Sequence, residues 1–82
     1  MEDQGGFQVV WQYQWNNRGW VSWVDFPPQQ SEAAEDAFLR DLTEVTVLGD
    51  DGQTTINLDF TSMTQSGKVG RKIRRVAILR GA

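Results

Sequence analysis

The chain has 82 residues, with eight Lys and Arg against eleven Asp and Glu and neither cysteine nor histidine. Its length allows one small domain, and a net charge of −3 argues against bulk affinity for nucleic acid. Without Cys or His there is no disulfide, no structural zinc site and no imidazole to shuttle protons, which fits a reducing compartment.

No apolar run is long enough to span a membrane, and no signal-peptide pattern opens the chain. The charge is segregated. Residues 1–62 carry Arg18 and Arg40 against all eleven acids, whereas residues 63–82 carry six bases and no acid. Such a distribution leaves room for a local anion site.

Residues 1–7 read as a flexible N-terminal tail and 8–80 as the domain. All four tryptophans and the only tyrosine fall between Trp11 and Trp23. Alternation from Gln8 to Trp15 puts Trp11, Tyr13 and Trp15 on one strand face and Gln12 and Gln14 on the other. Asn16-Asn17-Arg18-Gly19 tolerates the positive φ of a tight hairpin. A second strand, Trp20–Phe26, ends at Pro27-Pro28, which cannot donate ladder hydrogen bonds. Burial in the core is expected for Trp11 and Trp20, with Tyr13 or Trp23 near a pocket and Trp15 partly exposed at the hairpin end.

Ser31 is the expected N-cap of a helix over Glu32–Leu42, with Glu32, Glu35 and Asp36 in or near its first turn and Ala34, Ala37, Phe38 and Leu42 as its buried stripe. Alternating Thr and Val predict a strand at Glu44–Leu48, and Gly49-Asp50-Asp51-Gly52 a hairpin turn. The next strand, Thr54–Phe60, turns Ile56, Leu58 and Phe60 inward. Ser66–Gly70 is a loop and Arg71–Leu79 a final strand. The result is an α+β domain: a strongly twisted antiparallel sheet of five to six strands packed on one helix.

Catalysis has little to stand on. The carboxylates Glu35, Asp36, Asp50, Asp51 and Asp59 sit in a helix turn, a hairpin turn and an outward strand position, not in one cleft. Serines and threonines lack a histidine to activate them. No enzyme activity, cofactor or metal is expected. Gly67-Lys68-Val69-Gly70 matches a GxxG clamp of some RNA-binding folds, but those place it between helices and here it joins strands. The last strand puts Arg71, Ile73 and Arg75 on one face. An inward arginine needs a partner such as Glu35 or a bound anion, and Glu35 with Arg75 is the expected pair.

Taken together, Trp11-x-Tyr13, Gly19-Trp20-x-x-Trp23, Glu35-x-Ala37-Phe38, Leu58-Asp59-Phe60-x-x-Met63-x-Gln65 and Gly70-Arg71-x-Ile73-x-Arg75 resemble the WWE domain, over nearly all of residues 10–76. The resemblance implies a half-barrel with one helix and a pocket at the barrel end for ADP-ribose units. It also implies the setting: ubiquitin ligases, including the Deltex type, and ADP-ribosyltransferases. Relatives read iso-ADP-ribose of poly(ADP-ribose), terminal ADP-ribose or an adenine nucleotide.

By that resemblance Tyr13 contacts the ligand, Gln65 hydrogen-bonds it and Arg71 grips phosphate. Arg80 is a further candidate for phosphate. Ile56 and Val21 fall on pocket positions where relatives carry aromatic rings. Trp11, Trp20, Glu35 and Arg75 are assigned structural roles. The expectation is a monomeric binding module within a larger intracellular protein of nucleus or cytoplasm, targeting it to ADP-ribosylated partners, with no membrane or nucleic-acid partner. The alternative is a protein–protein scaffold whose ligand pocket has degraded.

Overall fold

In the computed structural model, residues 7–49, 51–67 and 70–79 are described. Seven elements follow in chain order: β1 (Phe7–Asn17), β2 (Trp20–Asp25), α1 (Pro28–Leu39), β3 (Glu44–Leu48), β4 (Thr55–Asp59), β5 (Thr64–Ser66) and β6 (Arg71–Leu79). All strand pairings are antiparallel, and the sheet order is β2-β1-β6-β5-β4-β3. The helix packs against both β1, second in that order, and β3, the edge strand at its far side. One short helix reaches both only because the sheet curls around it, so the architecture is an α+β half-barrel.

The predicted hairpin forms, and its turn is tighter than four residues. Ladder pairing continues to Asn17↔Trp20, leaving Arg18 and Gly19 as the two turn residues with φ of 53° and 89°. Positive φ at both central positions is what a two-residue turn needs to match the strands' twist. Phe7, expected in the tail, already pairs with Leu79. Residues 1–6 and Arg80 lie outside the described residues.

The helix differs from expectation at both ends. It begins at Pro28, with Pro27 extended before it (φ −52°, ψ 150°) and no side-chain cap. Two facts about proline explain the earlier start. A residue before proline is pushed out of the helical region, and proline itself is pre-organised for the first helical position. Ser31 therefore lies inside the helix, buried, and no acid occupies the first turn. At the other end, Asp41 N–H donates to Phe38 O (3.0 Å) and Leu42 N–H to Ala37 O (3.1 Å), with Asp41 at φ 62°. This is a Schellman closure with aspartate where glycine is usual. It turns Leu42 out into solvent, not onto the core.

β3 and β6 match their expected bounds, and β4 is one residue shorter at each end. The turn before β4 is organised by Asp51, whose carboxylate accepts hydrogen bonds from Thr54 Oγ1 and from the backbone N–H groups of Gln53 and Thr54. These bonds hold its pKa down to about 2. β5 had no counterpart in the sequence reading. Three residues are too few for an alternation signal, and the strand follows a turn that puts Met63 at φ 56°.

Trp11, Phe26, Ala34, Val47, Leu58 and Ile73 form the buried cluster. Trp11 is its centre. The indole packs on Phe38 and Phe60 at centroid distances of 5.4 and 5.2 Å. Its backbone N–H donates to Ser31 Oγ (3.0 Å), and its carbonyl accepts from Phe26 N–H (2.8 Å). Ala34 and Ala37, both buried, let the helix approach this ring closely.

Candidate functional site

Glu35 meets the core from the helix. Its Oε1 accepts from Trp11 Nε1 (2.9 Å) and Arg75 Nε (2.8 Å), and its Oε2 from Arg75 Nη2 (2.6 Å). The expected pair is present, bidentate and half-buried. The Arg75 hydrogen bonds are the main reason the Glu35 pKa is lowered, with the Trp11 bond assisting against partial burial. The same pair raises the Arg75 pKa. Because it neutralises itself and braces Trp11, this pair belongs to the scaffold.

A different arginine stands beside a cleft. Tyr13, Phe26, Pro27, Gln30, Ile56, Gln65 and Arg71 line a cavity of about 120 Å³ at the end of the sheet nearest the helix start. Tyr13 comes from β1, Ile56 from β4, Gln65 from β5 and Arg71 from β6, while the β2–α1 junction supplies Phe26 and Pro27 and the first turn of α1 Gln30. Gln65 and Arg71 are directly paired across β5 and β6. The Tyr13 ring leans on Phe26 at 5.0 Å.

Arg71 Cζ lies 5.4 Å from the Tyr13 ring centroid and 4.6 Å from that of Trp15. Two aromatic faces thus hold one guanidinium, and among the described residues no carboxylate pairs with it. Gln65 is only 8% exposed, yet its Oε1 is buried without a hydrogen-bond partner among the described residues. An orphaned buried acceptor costs about 1–3 kcal/mol. It is satisfied only if a donor enters the cleft.

Two larger grooves also open on the described surface. One, of about 660 Å³ between α1 and the β1–β2 end, is bordered by Asp25, Glu32, Glu35 and Asp36, which disfavour an anion. The other, of about 770 Å³ between the helix start and β3, has no charged side chain among the described residues of its lining. Of these three cavities, only the small cleft combines a cation, an aromatic face and an unpaired acceptor among the described residues.

Several expected residues are elsewhere. Val21 pairs with Asn16 and Trp23 with Gln14, which places both on the sheet face opposite Tyr13. There Trp23 carries Arg74, whose Cζ is 4.2 Å from the ring, and Arg74 Nε donates to Gln12 Oε1 (2.8 Å). Val21 is 53% exposed and lines none of these cavities, so it is removed from the pocket. Trp20 is not a core residue: it is 81% exposed, because its partner Asn17 ends the ladder beyond the reach of the helix. Ile56 does line the cleft. Of the residues that sequence reasoning missed, Phe26 and Pro27 come from the β2–α1 junction and Gln30 from the first turn of α1, a stretch read only as a strand end and a helix approach.

No curated protein gives a significant match to the chain. The family model for the WWE domain matches residues 9–77, which run from β1 to β6 and contain Tyr13, Gln65 and Arg71. The chain therefore belongs to the WWE domain family, whose members are binding modules for proteins and ADP-ribose.

Proposed function

We propose that this WWE domain is a non-enzymatic reader of ADP-ribose-type ligands: terminal ADP-ribose, the iso-ADP-ribose of poly(ADP-ribose), or an adenine nucleotide. The unpartnered Oε1 of Gln65 carries this reading. An amide buried beside an uncompensated guanidinium suits a ligand with a donor on one end and a phosphate next to it. The adenine amino group supplies the donor, Tyr13 a face for the ring, and Arg71 charge-assisted bonds to a diphosphate. Arg80, outside the described residues, remains a candidate second cation. The module would direct a larger nuclear or cytoplasmic protein, such as a ubiquitin ligase, to ADP-ribosylated partners.

A second reading, a protein–protein scaffold with a reduced pocket, is favoured by one observation. The cleft of about 120 Å³ is smaller than the roughly 300–1,000 Å³ of ordinary ligand sites. It would take the base edge, with phosphates and sugar outside along Arg71. Calorimetric titration of ADP-ribose, ATP and poly(ADP-ribose) fragments decides between the readings. Saturable binding that is lost in Arg71→Ala supports the reader. Unaltered heats across all three ligands support the scaffold.

A further inference from the structure

β1 carries an aromatic residue that the reading above leaves unused. Trp15 lies on the same face as Tyr13, two residues nearer the hairpin tip, and is 42% exposed. The pairing Tyr13↔Ile73, continued by two residues, sets Trp15 opposite Arg71. Since Gln65 pairs with Arg71 on the other side, three adjacent strands present an amide, a guanidinium and an indole in a row. Strands are about 4.8 Å apart, so the row spans about 10 Å. Trp20, paired with Asn17, stands on this face at the hairpin end.

A soluble domain ordinarily hides such rings. Here Arg71 covers one part of Trp15 at 4.6 Å, and the remainder faces solvent beside the cleft mouth. The chemical order matches a nucleoside diphosphate that carries a second sugar: a base edge at Gln65, phosphates at Arg71, and a sugar beyond. The weakly polarised C–H face of a furanose packs well on a flat indole, while its hydroxyls stay hydrated.

Resting on the reader function, we propose that Trp15, extended by Trp20, is the platform for the sugar on the far side of the diphosphate. This platform makes the site selective for ADP-ribose over ADP. Trp15 also positions Arg71, because the indole face holds the guanidinium at the cleft mouth. The exposure of Trp20 (81%) leaves the outer end of the platform open. A distal sugar already attached to a protein therefore fits as well as a free one.

The test compares dissociation constants for ADP and ADP-ribose by calorimetry in the wild type and in Trp15→Ala, Trp15→Phe and Trp23→Ala, with thermal melts confirming that each variant folds. The expected preference for ADP-ribose is about tenfold, falling to within about twofold in Trp15→Ala and largely kept in Trp15→Phe. Trp23→Ala, on the opposite face, keeps the wild-type ratio. A Trp15→Ala protein that still prefers ADP-ribose to the wild-type degree overturns the platform and leaves the reader intact. A wild type that binds neither ligand overturns the reader function and the platform with it. A mono-ADP-ribosylated peptide should compete as well as free ADP-ribose; failure to compete would refute the open outer end.

Discussion

Trp11 and Trp15 lie on one face of one strand, four residues apart, yet the first is 0% exposed and the second 42%. The difference is what lies above them. Over Trp11 sit Phe38 of α1 and Phe60, with Glu35 capping the indole N–H. Over Trp15 there is the Arg71 guanidinium. A 12-residue helix is only about 18 Å long, so it closes one part of the concave face and leaves the hairpin end open. The closed half uses its aromatic surface for stability, and the open half leaves similar surface exposed.

The sharpest break of this comparison is Trp11→Ala. It removes a large aromatic from a small core and should cost about 3–5 kcal/mol, enough to unfold much of a domain whose stability is of order 5–15 kcal/mol. Trp20→Ala should change stability by no more than about 0.5 kcal/mol, as at other exposed positions. Chemical denaturation of both variants checks this; equal losses would erase the distinction between the halves.

Next in size is the binding effect in the open half. Arg71→Ala should weaken ADP-ribose by about 1.5–3 kcal/mol, roughly ten- to a hundredfold. Arg74→Ala, on the other face against Trp23, should leave affinity nearly unchanged. Titrations of the two variants at one ionic strength suffice, and matched losses would mean that charge alone attracts the ligand.

Within the closed half, Glu35→Gln keeps the shape and an acceptor for Trp11 but removes the ion pair. A loss of about 1–2 kcal/mol at neutral pH is expected. Because folding lowers the Glu35 pKa from its ordinary 4.5, the wild-type advantage is complete above that value. It disappears as pH falls through the lowered folded value. Denaturation curves from pH 7 down to acid should therefore converge for the two proteins, and a gap that persists at low pH would assign the effect to packing.

The smallest effect concerns the helix end. Asp41 occupies a left-handed conformation that glycine adopts without strain. Asp41→Gly should stabilise the domain by up to about 1 kcal/mol with no change in affinity. A lower melting temperature would show that the aspartate side chain contributes an interaction beyond backbone geometry.

Local chemistry made much of this molecule legible. A hairpin turn within Asn16–Gly19, the bounds of β3 and β6, and the common face of Trp11, Tyr13 and Trp15 follow from residue type and a period of two. These depend on neighbours along the chain, which the sequence states directly. The Glu35–Arg75 pair was also legible, because an inward arginine on a strand requires an anion. What escaped was nonlocal. β5 is too short to show a period, and its existence depends on β4 and β6 on either side. Ser31 reads as a cap and instead receives the backbone N–H of Trp11 from twenty residues away.

The family, the half-barrel class and the expectation that Tyr13, Gln65 and Arg71 converge came from the sequence itself, since ordered motifs over most of its length carry them. Only the tertiary structure decided that Trp20 is exposed, that Val21 and Trp23 face away from the cleft, and that Gln65 is buried with an unmet acceptor. Hydrophobicity ranks side chains by what burial would gain, but which of them are buried depends on the reach of the helix and the register of the sheet. Both are properties of the folded chain as a whole.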